Sequence, residues 1–134
     1  MSASDVQRAV PGTITFNDPS KDPMSGAWTN RLTRSYRLSG VSVAALFGFT
    51  RDDRLVAVTL ETGPSNCERM LHETETIYGD PVQAIDRPIS KLRRWTDRRN
   101  NNRILYYEIH DPFGVPDICT LQYEPIPSPG GSNF

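Results

Sequence analysis

The residues best able to do chemistry in this chain are two cysteines, two histidines and a run of arginines. Cys67 stands where capping signals open a helix. Cys119 lies in a β-rich run near the C-terminus, on the same alternating face as Leu121 and Tyr123. If that helix packs over that strand, a disulfide between them closes a loop of about fifty residues, which the chain-entropy model values at roughly 4 kcal/mol. A bridge would also imply an oxidising compartment. The alternatives are two buried thiols acting as small hydrophobes, or a Cys67 thiol activated by the helix N-terminus. No histidine is read as the base that the last of these would need.

Lys91, Arg93, Arg94, Arg98, Arg99 and Arg103 fall within one short stretch opposed by Asp97. As a basic patch, Arg93, Arg94, Arg98, Arg99 and Arg103 suit phosphate contact, because a planar guanidinium matches phosphate and stacks on bases. The competing readings are charged edge positions that deter sheet-to-sheet aggregation and contact with an acidic protein partner. The net charge of −1 over the whole chain favours the edge reading. His110-Asp111 has the residue types of a general-base pair, yet neighbours on an extended chain point to opposite sides. His72 reads as a surface or rim residue of the helix. No Gly-x-Ser-x-Gly and no glycine-rich phosphate loop is present. The histidines and cysteines are too scattered for a zinc site. The expectation is therefore no catalytic residue, no cofactor and no metal. Trp28 and Phe113 each sit among turn residues, in Pro23–Trp28 and Pro112–Pro116. Each either tucks under a sheet edge or projects as an anchor for a partner, a role aromatic loop residues often carry.

The elements that must position these groups follow from periodicity and capping. Ser4 with Gln7 has capping-box spacing, and Val6, Ala9 and Val10 share a helical face, so a short helix is expected over 4–10, stopped by Pro11-Gly12. Thr13–Phe16 is short and β-prone, and 17–26 is a loop by composition. Val41–Glu61 alternates around the polar turn Thr50–Arg54 and reads as a β-hairpin, with Leu46 and Ala44 on the face opposite Val43, Ala45 and Phe47. Ser65 as N-cap and Glu68 three residues on open a second helix. Its stripe is Cys67, Met70, Leu71, Thr74, Ile77 and Tyr78, and Gly79 and Pro81 end it. Glu68, Glu73 and Glu75 form its solvated acidic face, with Arg69 placed to pair with Glu73. Further strands are expected over 90–96, 104–110 and 118–124.

Leu, Ile, Val and Phe make up about 22% of the 134 residues, above the level of roughly 20% at which charged chains stay disordered. No apolar run is long enough to span a membrane. The fold class expected is α+β: one two-layer domain over residues 1–124, an antiparallel sheet of four to six strands with one or two helices on one face. A Pro/Gly-rich disordered tail follows over 125–134. The helix-then-hairpin order occurs twice, from Ser4 and from Ser65, a hint of duplication.

The segments Cys67–Leu71, Tyr78–Pro81, Trp95–Asp97, Asn102–Ile104 and Cys119–Tyr123, with the opening Ser4–Gly12, resemble small bacterial envelope modules. In layout these are similar to the two-layer helix-plus-sheet units of beta-lactamase inhibitory protein and of outer-membrane assembly lipoproteins. The resemblance implies that fold and an exported binding protein, and it transfers no functional residue. No leader is legible at the N-terminus, so the location implied is periplasmic or secreted if a leader has been removed, and cytoplasmic otherwise. The function expected is a non-enzymatic, protein-binding or inhibitor-like module. It would act through the sheet face away from the helix, with Trp28, Phe113 and Leu46 as contact residues. The alternative is a cytoplasmic nucleic-acid-associated module using the arginine-rich hairpin. Oligomeric state is left open by the sequence.

Overall fold

The computed structural model describes residues 1–15, 28–38 and 40–126. The loop expected over 17–26 and the tail from residue 127 onward lie outside them. Among the described residues the elements are α1 (Ala3–Ala9), β1 (Ile14–Thr15), β2 (Thr29–Leu38), β3 (Val41–Phe49), β4 (Leu55–Thr62), α2 (Cys67–Tyr78), β5 (Gln83–Arg87), β6 (Ser90–Asp97), β7 (Asn102–His110) and β8 (Pro116–Pro125). All strands join one antiparallel sheet in the order β1-β2-β3-β4-β8-β7-β6-β5.

The α+β class is as expected, but the sheet has eight strands rather than four to six. Two of the additional strands have weak alternation. In β2 the arginines Arg31, Arg34 and Arg37 recur every third residue and mask the alternation of Leu32 with Tyr36. In β5 only Ile85 is even half-buried, because the strand closes one edge of the sheet. The last strand also runs on: Pro125 is buried in β8, and the Ile126 N–H donates to the Asn101 carbonyl at 3.0 Å. The sheet thus ends one residue later than the boundary at 124, with Ile126 bonded just beyond it.

The helices start where tertiary contacts hold them. Ser2, not Ser4, caps α1: its Oγ accepts from the Asp5 N–H at 3.2 Å, and the Asp5 carboxylate accepts from the Ser2 N–H at 3.0 Å. This earlier box lets the β3–β4 turn grip the helix. The Leu55 N–H donates to the Met1 carbonyl at 2.7 Å, and the Ala3 N–H donates to Asp53 Oδ1 at 3.1 Å. Ser65 likewise does not cap α2. It lies in a 3-10 turn, Pro64–Asn66, that runs straight into the helix, where Asn66 occupies the cap position without a side-chain bond to it. Gly79, at φ +79°, ends α2 as anticipated, with its N–H on the Glu75 carbonyl.

Both helices lie on the same sheet face. Val6 of α1 packs on Ala45, Phe47 and Phe49, together with Leu32 and Leu55. Cys67, Met70 and Leu71 of α2 pack on Val41, Val43, Trp95, Ile104, Tyr106 and Leu121. Val41, Val43, Ala45 and Phe47 share one parity on β3, hence one face. Ile77, expected in the buried stripe of α2, is 69% exposed instead. It lies at the side of the helix, where it lines a cleft between α2 and β3.

Topologically the chain is a repeat of one unit, a helix followed by a four-strand meander. The two units are joined by antiparallel pairing of their last strands, Val58 opposite Tyr123 and Leu60 opposite Leu121. The hint of duplication in the helix-then-hairpin order corresponds to this arrangement.

Candidate functional site

At one end of the sheet the β7–β8 turn is built around Asp111. Its Oδ1 accepts from the Phe113 N–H at 2.8 Å and from the Val115 N–H at 3.0 Å. Its backbone carbonyl accepts from the Gly114 N–H, and its N–H donates to the Val115 carbonyl. Gly114 adopts φ +81°, a conformation other residues rarely take. These bonds fix the loop's backbone while leaving its apolar side chains outside. Phe113 is 92% exposed, and Val115 is exposed beside it. The adjoining β5–β6 turn is tied to the same end by the His110 N–H on the Ile89 carbonyl at 2.7 Å, and it presents Ile89, also exposed. Ile118 pairs with Ile109 on the open face and extends the apolar surface onto the sheet. From there Tyr107, Leu92 and Ile85 form a cross-strand row on that face, each half-buried.

The structure separates the three residues expected at the contact surface. Phe113 projects. Trp28 takes the tucked alternative: it is buried, and its indole lies on Gly48, where an added Cβ would fall 2.2 Å from Cδ1. Among the described residues the Trp28 Nε1 and the Asn30 Oδ1 beside it have no hydrogen-bond partner. Leu46 alternates onto the open face as expected, but only 9% of it is exposed, so it supports that face from beneath rather than offering a contact.

The arginines do not form one patch. Arg93 points to the helix side, where it donates to Asp86 at 2.8 Å and to the Leu92 carbonyl. Arg94 is on the opposite face and exposed. Arg103 is paired with Glu124 at 2.9 Å. Arg98 and Arg99 occupy the exposed β6–β7 turn.

Cys67 and Cys119 are joined, with Cα atoms 5.7 Å apart, so α2 is bolted to β8. His110 does not engage Asp111. Its Nε2 bonds Glu108, and Glu108 in turn accepts the hydroxyl proton of Tyr106. The Tyr106 oxygen lies 3.2 Å from the Cys67 carbonyl. Residues 106, 108 and 110 share one face of β7, and that alternate spacing is the signal in the sequence for their contact. Burial by itself pushes the Glu108 carboxyl up. The bonds from Tyr106 and His110, with the positive charge of Lys91, outweigh it and hold the group below the ordinary glutamate range. Burial, reinforced by that carboxylate, pushes the Tyr106 hydroxyl well above the usual tyrosine range. Tyr106 is fully buried, so this chain of groups ties β7 to the start of α2.

Among the described residues no group of three or more His, Cys, Asp or Glu side chains is placed to hold a metal ion. No described helix is long and apolar enough to cross a membrane. Compared with protein-family models, with curated proteins and with solved structures, the chain matches none.

Proposed function

We propose that this protein is a non-enzymatic protein-binding module of an oxidising compartment, the bacterial periplasm or the exterior, and that its anchor is Phe113. The observation that carries the reading is the ordered Asp111–Val115 loop around an almost wholly exposed phenylalanine. A loop held by four hydrogen bonds has little entropy left to lose on binding, so burial of the ring goes into affinity. Burying a phenylalanine against a partner contributes about 1.5–3 kcal/mol. Val115, Ile89 and Ile118, exposed at the same end of the sheet, add apolar surface to that of Phe113, the kind of patch that marks a contact site. The Cys67–Cys119 bridge supports the compartment, since such bonds persist where glutathione and thioredoxin do not reduce them.

The test is site-specific photo-crosslinking in extract of the source organism, with a benzophenone amino acid at position 113 and, as control, at position 98. A single adduct at 113, absent at 98 and competed by wild-type protein but not by Phe113→Ala, is the expected result. Equal labelling from both positions, or competition by Phe113→Ala as strong as by wild type, would overturn it.

A further inference from the structure

Between the two helices the sheet face on which they lie is apolar, with a buried floor on β3 (Val43, Ala45 and Phe47) and half-buried flanks (Tyr36, Val58 and Leu60). Two clefts occupy it and meet at Val43. One, of about 220 Å³, is lined by Tyr36, Val43, Ala45, Phe47, Val58 and Leu60, with no ionisable carboxylate or cation among them. The other, of about 190 Å³, continues between β3 and α2 past Val41, Met70, Leu121 and Ile77. From Phe47 to Val41 the track follows β3 for roughly 20 Å at about 3.4 Å per residue.

Among the described residues, the charged groups that line the clefts lie at the end near Val41. Arg37 lines the second cleft, and its Nη2 donates to the Gly40 carbonyl at 3.1 Å. Arg69 of α2 reaches the same turn, its Nη2 3.5 Å from where a Cβ on Gly40 would stand. Two guanidinium groups therefore converge on the residue that precedes Val41. Glu73 lines the cleft as well, one helical turn beyond Arg69, so the described residues at the mouth are two cations and one carboxylate. Further along, the Arg34 guanidinium stacks over Tyr36, 4.4 Å from the ring centroid, and screens the side of the track.

The geometry points to a binding site for a single-chain amphiphile with an anionic head, of the fatty-acid type. The tail would lie over β3 against the half-buried Tyr36, Val58 and Leu60, and the head between Arg37 and Arg69. The apolar lining rewards an aliphatic chain through the area it removes from water, including that of exposed Ile77. The paired guanidiniums favour a carboxylate over a neutral or cationic head. Clefts of this size admit one extended chain, whereas a helix about 10 Å across would not enter them. The site is separate from the Phe113 loop and does not depend on its role.

Dodecanoate, titrated below its micelle-forming concentration into the full chain, tests the inference by calorimetry and by amide chemical shifts. Saturable one-to-one binding is expected, with shifts on β3 and α2. Dodecyltrimethylammonium should bind at least about tenfold more weakly. The double change Arg37→Ala with Arg69→Ala should weaken dodecanoate about tenfold and leave dodecanol unchanged. Ile77→Glu should weaken both dodecanoate and dodecanol. All three positions are exposed, so the fold is not at risk. Phe113→Ala should change nothing. Absence of saturable binding, equal affinity for the cationic amphiphile, indifference to the Arg37, Arg69 and Ile77 changes, or loss on Phe113→Ala would overturn the assignment.

Discussion

Glu108 is a buried carboxylate with two donors, Tyr106 and His110, and a cross-strand cation, Lys91. Its carboxyl is held below the ordinary range, so the native state binds that proton less readily than the unfolded chain does. The stabilisation is fully present above the unfolded glutamate pKa and is lost as pH falls through the lower native value. Glu108→Gln should therefore cost roughly 1.5–3 kcal/mol at neutral pH, the range for hydrogen bonds to a charged group. The gap between variant and wild type should narrow below about pH 4.5. Urea unfolding of both proteins across that interval checks the sign, and a gap that widens in acid would contradict it. The same scale shows what the sequence conceals. Phe113 and Trp28 look alike as aromatic residues in turn-rich segments. They differ because Asp111 gathers the β7–β8 turn onto itself and leaves Phe113 outside, whereas Gly48 offers Trp28 a flat bed on the sheet. Side-chain capping of a loop and close approach over a glycine depend on partners that periodicity does not reveal.

Helix α2 is fastened at both ends. The disulfide and the Tyr106 oxygen hold its first turn. At its far end the Trp95 indole N–H donates to the Gly79 carbonyl at 2.9 Å, and Tyr78 meets Tyr123 edge-on. The bridge spans 52 positions, so loop closure alone puts its contribution to stability at about 4 kcal/mol. Reduction, or the pair Cys67→Ser with Cys119→Ser, should lower the urea midpoint accordingly. Hydrogen exchange should show the first turn of α2 opening before β7 and β8. Unchanged stability after reduction would mean that packing, not the bridge, seats the helix. This helix and the β3–β4 hairpin were the most legible elements, because a stop glycine, a proline and strong alternation agree there. The less legible β2 and β5 are strands by virtue of their neighbours: pairing with β3 and β6 supplies what their own residues do not announce. The helix starts also slipped, by one or two residues, since Ser2-x-x-Asp5 and Ser4-x-x-Gln7 satisfy the same spacing and only the contacts of Met1 and Ala3 with the β3–β4 turn choose between them.

Across the molecule, the two helix-plus-meander units use equivalent turns differently. In the first unit the β3–β4 turn clasps the start of α1 through Asp53 and Leu55. In the second, α2 is fastened by the disulfide to β8 instead, and the equivalent β7–β8 turn holds itself together and projects Phe113. A turn relieved of its structural task is free to act as a contact, which is why the two halves of a repeat need not share a function. The units are nonetheless one folding body. Beyond the β4–β8 ladder, Met70 and Leu71 of the second unit pack in the same cluster as Val41 and Val43 of the first. Removing either half would expose that cluster to water, at about 25 cal/mol for each Å² of apolar surface. Unfolding should accordingly be a single transition. Each unit carries one buried tryptophan, Trp28 in the first and Trp95 in the second. The Trp28→Phe and Trp95→Phe variants thus report on one unit each. Within each variant, the urea midpoint read by tryptophan fluorescence should coincide with that read by far-ultraviolet circular dichroism. A fluorescence midpoint that departs from the dichroism midpoint in either variant would show that the ladder and the shared cluster do not couple the two units.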